Sequence, residues 1–295
     1  MPEEMAGSTV PRRQLGRYLE ELRENAGLNR KDAAKALERS APTIWRIETG
    51  RIAVRSIEVE AMCRLYGASP EMIEVLSGLA KETKARGWWQ AYGDAVPDWF
   101  DVYVGLEAAA TRMSKFESEL VPGLFQTEDY ARTIIRADHP EEDDTEITRR
   151  VELRMARQAI LKRPVNPPAL EVALRESVLR CPVGGTEIMA AQLDRLADAA
   201  GLPNISMRVV PFSAGFHLGM LTGGFTLLRF PLNGSGTETE PDTVYSDSFT
   251  GAIYLDKPGE LARYSRAFAE IWETSLDEDS SRDFISRAAE ALRDG

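Results

Sequence analysis

Two short helical patterns joined by a tight turn occupy residues 28–50, and they constrain the fold of this chain more than any other feature. Asn29 is placed to cap the first helix, and Ser40 is placed to cap the second. Pro42 falls in the first turn of the second helix, where a proline costs no hydrogen bond, and Gly50 follows its end. The segment therefore specifies both ends of a compact helix pair.

The small and apolar positions of this pair fit a helix-turn-helix. Ala33 and Ala34 are small where two helices must cross closely, and Ile44 and Ile47 share the inner face of the second helix. Such a unit presents its second helix to the major groove of DNA. The sequence therefore predicts DNA binding by this segment.

Three further helical patterns surround the pair. Residues 14–26 precede it, residues 56–66 follow a basic loop at 51–55, and a cap at Ser69 opens a fifth helix. We therefore expect an all-α domain of five helices over residues 11–80.

This region resembles the Xre and phage-repressor class of helix-turn-helix proteins over residues 12–80. The pattern Ile44…Ile47-Glu48-Thr49-Gly50-Arg51 is its most family-specific piece. Two features depart from the class: Glu38-Arg39 replaces the usual Gly-containing turn, and Trp45 is large for a recognition helix. The resemblance therefore implies double-stranded DNA as partner without specifying the bases.

Alignment on the repressor pattern predicts which side chains meet DNA. On the second helix of the pair, the outward positions are Ala41, Thr43, Trp45 and Arg46. Arg46 is the expected reader of a guanine edge, and Ala41 or Trp45 could touch a thymine methyl. The expected phosphate contacts are Asn29, Arg30, Lys31, Ser40, Thr49, Arg51 and Arg55. The alternative for Arg51 and Arg55 is pairing within the protein.

Charge is distributed unevenly along the chain. The whole chain has a formal net charge of −11, which by itself argues against a nucleic-acid binder. Residues 11–55, however, hold 11 Arg and Lys side chains against 6 Asp and Glu, while the residues from 56 onward hold 25 basic and 39 acidic ones. Positive charge is thus concentrated where a phosphate backbone would lie.

Composition excludes several classes of protein. The chain has 295 residues, 43% of them hydrophobic and 28% charged, which is ordinary for two or three globular domains. No run of about 18 apolar residues is present, so we expect no membrane span, and the first residues lack a secretion signal. Two cysteines, Cys63 and Cys181, and two histidines give no disulfide framework or metal centre. We therefore expect a cytoplasmic, nucleoid-associated protein without a metal or cofactor.

A change in composition after Leu79 marks a domain boundary. We place a connector at 81–97, followed by a second domain at 98–295. Aromatic residues cluster around this boundary, and Trp88 and Trp89 are the most prominent. They either seal one domain against the next or line a ligand pocket or dimer face.

The second region alternates between helical and strand patterns. Predicted helices cover 100–120, 128–137, 143–161, 185–201, 259–275 and 279–293. Predicted strands cover 169–175, 205–211, 224–230, 243–246 and 252–255, with Gly-rich turns at 215–224 and 233–236. The expected fold is therefore α/β or α+β, with a mixed sheet covered by helices.

Ordered short patterns extend over about residues 85–290. They are Trp88-Trp89, Leu106-Glu107-Ala108-Ala109, Val121-Pro122-Gly123-Leu124-Phe125-Gln126-Thr127, Arg157-Gln158, Glu176…Leu179, Gly184-Gly185, Gln192-Leu193 and Val210-Pro211-Phe212…Gly215-Phe216-His217. This region resembles the C-terminal domain of actinobacterial Xre-type regulators described as antitoxin-like or WhiJ-like. In that group the activity of the domain is unassigned, and a small protein encoded nearby is the suspected partner.

Three candidate residues for catalysis lie near predicted turns: Glu107, Glu176 and His217. A phospholipase-D-like half would need a Lys two residues after His217, where Gly219 stands instead. No nucleophile elbow, Walker loop or dinucleotide fingerprint occurs. We therefore predict a protein that is not an enzyme, with a DNA-tethered enzyme as the alternative.

Binding groups collect on loops held by sheets and helix ends, which suggests a ligand or partner site in the second domain. Its expected members are Trp88, Trp89, Gln126, Tyr130, Glu176 and His217. The competing interpretation gives each of them a local structural role. Taken together, the sequence predicts a transcription regulator that binds a palindromic operator as a homodimer. Its second domain would respond to a small protein or a small-molecule effector.

Overall fold

The computed structural model describes residues 10–50, 52, 54–82, 98–164, 166–231, 240–249 and 251–294. The chain divides into two compact units, residues 1–109 and 110–295. We expected the second domain to begin at residue 98; residues 98–109 group with the first unit by their contacts, and the start of the second domain stays a prediction. Most of the predicted connector 81–97 lies outside the described residues, so its limits stay a prediction.

The described part of the first unit is helical, as predicted. Its helices are α1 (Val10–Asn25), α2 (Arg30–Ala36), α3 (Ala41–Glu48), α4 (Ser56–Leu65), α5 (Pro70–Glu82) and α6 (Asp98–Ala109). The helix α1 begins before residue 14, where we expected its start, and α5 continues beyond Leu76, where we expected its end. Helices α2 and α3 form the predicted helix-turn-helix.

One hydrophobic core holds α1 to α5 together. Leu15 and Leu19 of α1, Ile44 of α3, Val59 of α4 and Leu76 of α5 are all at most 1% exposed and belong to the same cluster. Each lies on the inner face of an amphipathic helix, which is the pattern that places a helix against a core. The helix-turn-helix is therefore a part of a packed unit rather than an isolated hairpin.

The turn between α2 and α3 contains a residue in the left-handed region. Glu38 has a φ of 52°. The amide of Arg39 donates to Ala34 O at 2.8 Å and that of Glu38 to Lys35 O at 3.4 Å, the hydrogen-bond pattern of a Schellman motif. Glycine is the usual residue at such a position because it has no Cβ. Glu38 therefore replaces the expected glycine in sequence while keeping the conformation that a glycine would adopt.

The second unit is built on one mixed sheet of six described strands. The strands are β1 (Arg112–Glu117), β2 (Ala169–Arg175), β3 (Ile205–Val210), β4 (Phe225–Arg229), β5 (Thr243–Ser248) and β6 (Gly251–Leu255). Their order is β3-β2-β1-β4-β5-β6. The strands β3, β2 and β1 pair parallel to one another, whereas the pairs β1–β4, β4–β5 and β5–β6 are antiparallel. This confirms the predicted mixed sheet.

Helices accompany this sheet, as predicted. They are α7 (Glu128–Asp138), α8 (Asp144–Arg157), α9 (Glu176–Arg180), α10 (Thr186–Ala199), α11 (Gly219–Thr222), α12 (Pro258–Thr274) and α13 (Glu278–Asp294). Phe268 and Ile271 of α12 pack against Phe116 of β1 and Phe225 of β4 in one core cluster. Among the described helices, none has both the length and the apolar composition needed to cross a bilayer.

One predicted element was wrong. We expected a single helix over residues 100–120, but α6 ends at Ala109 and residues 112–117 form the strand β1. The strand lies between β2 and β4, and it carries Met113 and Ser114 in adjacent buried positions. A strand buried on both faces lacks the simple alternation of apolar and polar residues, so its sequence does not distinguish it from a helix.

Replacement of Glu38 tests the conformation of the turn. Glu38→Gly should raise the free energy of unfolding of the first unit by about 0.5–1 kcal/mol, because the relief of left-handed strain exceeds the backbone entropy that glycine adds. Glu38→Ala removes the same carboxylate but keeps the strain, so it should give no such gain. Chemical unfolding combined with hydrogen exchange of amides 10–50 would measure both. Equal stabilisation by both variants would contradict the strain argument.

Candidate functional site

Local contacts fix the start of α3 and its inner face. Ser40 caps the helix, accepting a hydrogen bond at Oγ from the Thr43 amide at 3.2 Å. Ile44 is 0% exposed and Ile47 is 6% exposed in the core of the first unit. The opposite side of α3 therefore faces away from the core of the first unit.

The outer surface of α3 presents Trp45 and Arg46. The indole of Trp45 is 38% exposed, and Arg46 and Thr43 are half-buried. These placements agree with the expected outward positions. Ala41, which was also expected to face outward, is half-buried like Thr43 and Arg46 but, in addition, packs against the core. The outward set therefore consists of Thr43, Trp45 and Arg46.

A buried carboxylate at the end of α3 joins three helices. Glu48 accepts hydrogen bonds from Arg23 Nε of α1 at 2.6 Å and from Arg30 Nε of α2 at 2.7 Å. Arg23 also donates to Leu28 O at 2.8 Å, and Arg30 forms an ion pair with Glu20. The position of α3 relative to α1 and α2 is thus set by directional charged hydrogen bonds as well as by apolar packing.

The charges of this network are removed from water. Arg23 is 4% exposed and Glu48 is 2% exposed. The hydrogen bond to Glu48 is the largest contribution that raises the pKa of Arg23 and of Arg30 above the usual value. Burial raises the pKa of the nearby Tyr66 hydroxyl to about 12, and the charge of Glu48 acts in the same direction. Loss of Glu48 would leave the buried Arg23 with only its longer ion pairs to Glu24 at 3.3 Å and Glu20 at 3.7 Å.

A close backbone approach at Gly16 complements the ion pairs. A Cβ atom at this position of α1 would lie 2.3 Å from Glu48 O and 2.6 Å from Ile47 O. Since both neighbours are backbone atoms, any larger residue would push α3 away from α1. Gly16 therefore fixes the distance between α1 and the end of α3.

Sequence reasoning missed Gly16, Arg23 and the role of Glu48. Glu48 occupies the inner face of α3 together with Ile44, and Arg23 follows Leu19 at helical spacing on the inner face of α1. The sequence did contain a signal for this ion pair: each of the two helices carries a charged residue at a position of its inner face where an apolar residue is expected. Buried charges occur almost only as partners of each other.

The structure changes the interpretation of Arg30. We expected this residue to contact a phosphate, but its guanidinium forms ion pairs with Glu48 and Glu20. These contacts occupy it in the fold of the unit. We therefore leave Arg30 out of the proposed DNA-contacting set.

Three other predicted contacts serve as helix caps. Asn29 Oδ1 accepts from the amides of Lys31 and Asp32 at 2.9 and 3.0 Å, and Ser40 caps α3. Thr49 Oγ1 donates to Trp45 O at 2.8 Å. A capping side chain can also meet a phosphate, so a contact of these residues with DNA stays a prediction.

The predicted basic contacts differ in their surroundings. Lys31 and Arg55 are exposed, and Arg51 lies outside the described residues. The backbone amide of Arg55 donates to Glu58 Oε2 at 3.2 Å at the start of α4. A contact of Lys31 and Arg55 with phosphate stays a prediction.

In the second unit, hydrogen bonds hold the loop at residues 121–127. Gln126 is 4% exposed, and its Nε2 donates to Val121 O at 2.7 Å. The Val121 amide donates to Tyr130 Oη at 3.2 Å, and Arg154 donates to Gln126 Oε1 at 2.8 Å. Tyr130 is 0% exposed. Gln126 and Tyr130 therefore have the local roles that we had considered as the alternative.

Two further glutamines bind the same loop from neighbouring elements. Gln158 Nε2 donates to Gln126 O at 2.7 Å, and Gln192 Nε2 of α10 donates to Phe125 O at 2.8 Å. The Thr127 amide donates to Gln192 Oε1 at 2.7 Å. Three of the ordered sequence patterns thus meet at this loop. Their glutamines serve to hydrogen-bond backbone groups of the loop.

Arg154 is unusual among the basic residues of this region. Burial, followed by the nearby charge of Arg157, lowers the pKa of Arg154 to about 10. No carboxylate lies within 4 Å of its guanidinium among the described residues. Its hydrogen bond to Gln126 instead ties α8 to the loop, so its visible role is structural.

Glu176 and His217 lie beyond the carboxyl ends of β2 and β3. Glu176 accepts from the Phe212 amide at 2.8 Å and from Arg180 Nε at 3.1 Å. His217 is 2% exposed and meets the edge of Phe116 with ring centroids 5.7 Å apart. Burial, with the charge of Arg175 as the next cause, lowers the pKa of His217. Glu176 is therefore held by hydrogen bonds at the end of the sheet, whereas the buried Nδ1 of His217 has no hydrogen-bond partner among the described residues.

The predicted site residues do not form one bonded cluster. Among the described residues, no hydrogen bond or ring contact joins Gln126 and Tyr130 to Glu176 and His217. Trp88 and Trp89 lie outside the described residues, and Glu107 is buried. Within the described ranges, no group of three or more His, Cys, Asp or Glu side chains is arranged to hold a metal ion.

Comparison with known protein families identifies both parts of the chain. A family model described as a helix-turn-helix domain matches residues 14–76. A second model, described as a domain of unknown function (DUF5753), matches residues 100–287. Searches of curated proteins and of solved structures give no match.

Removal of the buried carboxylate tests the network. Glu48→Gln should lower the free energy of unfolding of the first unit by about 3 kcal/mol, because the buried Arg23 then keeps only its longer ion pairs with Glu24 at 3.3 Å and Glu20 at 3.7 Å. The double variant Glu48→Gln, Arg23→Met should recover part of this loss, since the buried charge is then absent. Hydrogen exchange of amides in α1 to α3 would report both values. A loss below about 1 kcal/mol for the single variant would show that apolar packing alone positions α3.

Proposed function

We propose that this chain, which belongs to the family defined by the domain of unknown function DUF5753, is a sequence-specific DNA-binding transcription regulator. The match of residues 14–76 to a helix-turn-helix domain supports DNA binding. The observation that carries the proposal is the fixation of α3: Glu48 holds its inner end, while Trp45 and Arg46 remain on the outer side.

In this proposal α3 enters the major groove. Arg46 reads a guanine edge by a bidentate hydrogen bond, and Trp45 contacts a thymine methyl. Asn29 and Lys31 at the start of α2 and Arg55 at the start of α4 contact phosphates, which position the unit without reading sequence. A rigid α3 favours recognition because the reading side chains are already in place when DNA arrives.

We infer that the protein acts as a homodimer on a palindromic operator, in the manner of the Xre class. Helix-turn-helix dimers place their recognition helices about one DNA turn apart, so two half-sites of this spacing are expected. This arrangement also suits a cytoplasmic, nucleoid-associated protein with an acidic second domain and a small basic face, because the acidic part discourages indiscriminate binding to DNA.

We further propose that the second unit controls DNA binding by receiving a small protein or a small-molecule effector, as in WhiJ-like, antitoxin-like regulators. The alternative is a unit that acts chiefly as a docking platform. A non-catalytic role is favoured by the engagement of Glu176, which accepts from the Phe212 amide and from Arg180 at the end of the sheet. A DNA-tethered enzyme would need this carboxylate at an accessible reacting centre.

The first test of the proposal is base reading by Arg46. On a DNA sequence selected by the protein itself, Arg46→Ala should lose about 1–3 kcal/mol of binding free energy and relax base preference at one position of each half-site. Fluorescence anisotropy on operators changed one base pair at a time would measure this. If affinity falls equally on selected and random DNA, Arg46 contacts phosphate and does not read a base.

The second test separates phosphate contacts from the rest of the surface. Arg55→Ala should weaken binding to all sequences alike and lower the log–log slope of affinity against salt by about one unit, because one phosphate is no longer neutralised. Arg64→Ala is the matched control, because Arg64 is 72% exposed on the same helix but pairs with Glu60. The control should leave the slope unchanged. Identical slopes for Arg55→Ala and the unmodified protein would remove Arg55 from the interface.

A further inference from the structure

The connection between β3 and β4, residues 211–224, crosses the carboxyl ends of the parallel strands. Strand β3 ends at Val210, at one edge of the sheet, whereas β4 begins at Phe225, opposite Phe116 and on the far side of β1. The chain must therefore pass β2 and β1 at this end. In open sheets with parallel strands, ligands bind outside the carboxyl ends, where the order of the strands reverses. A ligand site of the second unit is therefore expected here.

The part of this connection at residues 216–222, which we call the crossing segment, places its side chains contrary to their polarity. Phe216 is 68% exposed and Leu221 is 72% exposed, whereas the polar ring of His217 is 2% exposed. Packing alone would favour the reverse, because burial of phenylalanine or leucine removes much more apolar surface from water than burial of an imidazole. The inward position of His217 is therefore not explained by packing.

The buried imidazole of His217 lacks a hydrogen bond at Nδ1. Among the described residues this atom has no partner, and the ring contacts the edge of the Phe116 ring. Buried polar groups in folded proteins almost always have a hydrogen-bond partner. An unsatisfied nitrogen at this end of the sheet therefore points to a partner that the chain itself does not supply.

Arg175, the last residue of β2, places a cation on the same face of the sheet. It lies two residues beyond Ala173, which pairs with Phe116, so Arg175 and Phe116 point to the same side. Its guanidinium lies 5.9 Å from the centre of the Phe212 ring, and no ion pair holds it among the described residues. After burial, the charge of Arg175 is the largest cause that lowers the pKa of His217. The two groups therefore belong to one site.

Glu270 of α12 completes the charged surroundings of His217. Its Oε1 accepts from the Leu218 amide at 3.0 Å, which ties the crossing segment to α12. The charge of Glu270 raises the pKa of His217, but its effect is smaller than the opposite effect of Arg175. The two charges together therefore produce a positive potential at the ring, which favours an anion over a cation.

We propose that Arg175 and His217 bind an oxyanion, the carboxylate or phosphate group of a small-molecule effector. Arginine can only donate hydrogen bonds, and a neutral imidazole with its proton on Nδ1 donates one more. A negatively charged acceptor satisfies both groups and supplies the missing counter-charge. A metal ion fits less well, because Arg175 would repel it and the described residues contain no group of three His, Cys, Asp or Glu side chains arranged to hold one.

Glycines at both ends of the crossing segment provide a route for the ligand. Gly215 has φ 68° and ψ −137°, and Gly223 has φ 65° and ψ −168°. Residues with a Cβ atom avoid these conformations, whereas glycine moves through them at little cost. Rotation at these two positions would lift the crossing segment and admit the ligand to the buried ring.

This inference rests on the proposed control of DNA binding by the second unit, and it names the chemical group that this unit receives. An anion held between Arg175 and His217 would fix the crossing segment against the sheet. The exposed Phe216 and Leu221 would then be held in one position. The occupied site would thus be readable on the surface of the second unit.

The histidine signals in the nuclear magnetic resonance spectrum of the full chain test the site. The chain has two histidines, and His139, with a side chain 30% exposed, is the internal control for His217. The probes are inorganic phosphate and acetate, each compared with chloride at constant ionic strength. At least one should shift the His217 signals to saturation and raise its pKa, because a bound anion stabilises the imidazolium. Phosphate alone would identify a phosphate group, and acetate alone a carboxylate.

Substitution of Arg175 tests its part in the site. Without a probe, Arg175→Met should raise the pKa of His217, because the charge that lowers it is gone. The variant should also bind the probe at least about tenfold more weakly, since a charge-assisted hydrogen bond is lost. Arg180→Met is the matched control, because Arg180 lies at the same end of the sheet but pairs with Glu176. It should leave probe binding unchanged.

Several results would overturn the inference. They are a His217 that responds to neither probe, an equal response of His139, and unchanged probe binding by Arg175→Met. None of these measurements uses DNA, so they are separate from the proposed function. Absence of binding to any DNA by the unmodified protein would refute the proposed function, and the histidine signals would still decide whether the oxyanion site exists.

Discussion

The position of α3 depends on one buried carboxylate. Glu48 is held by Arg23 and Arg30, which belong to the two helices that precede it. Apolar packing around Ile44 holds α3 in the core but specifies its rotation and end point less tightly than directional bonds do. Gly16 then sets how closely α1 approaches. Trp45 and Arg46 lie on the side of α3 opposite the anchored face, where the proposed function places the contacts with bases.

Local signals in the sequence predicted most of the fold. Caps at Ser40 and Thr127, the glycine at 50 and the amphipathic helices defined the elements, and β2 was predicted at the observed bounds of residues 169–175. The strand β1 was missed because it is an inner strand of the sheet in which the successive residues Met113 and Ser114 are buried on opposite faces, which removes the alternation that identifies a strand. Glu38 was recognised only as a departure, and its left-handed backbone became evident in the structure.

The candidate sites were less predictable because their residues act through contacts between distant segments. Exposure of Trp45 followed from helical spacing, but the pairing of Arg30 with Glu48 requires the packing of α2 on α3. In the second unit, the sequence singled out Gln126 without showing that its amide satisfies the backbone of its own loop. Polar residues at turns have this ambiguity in general, since ligand binding and loop stabilisation select the same side chains.

Selection from random DNA tests the central claim, sequence-specific recognition by the first unit, most directly. The full chain should enrich a two-fold-symmetric sequence whose half-sites lie about one helical turn apart. Affinity for that sequence should exceed affinity for random DNA by about 10³-fold or more at physiological salt. Enrichment of no common sequence, with equal affinity for all DNA, would contradict the claim and leave the basic face of residues 11–55 with a purely electrostatic role.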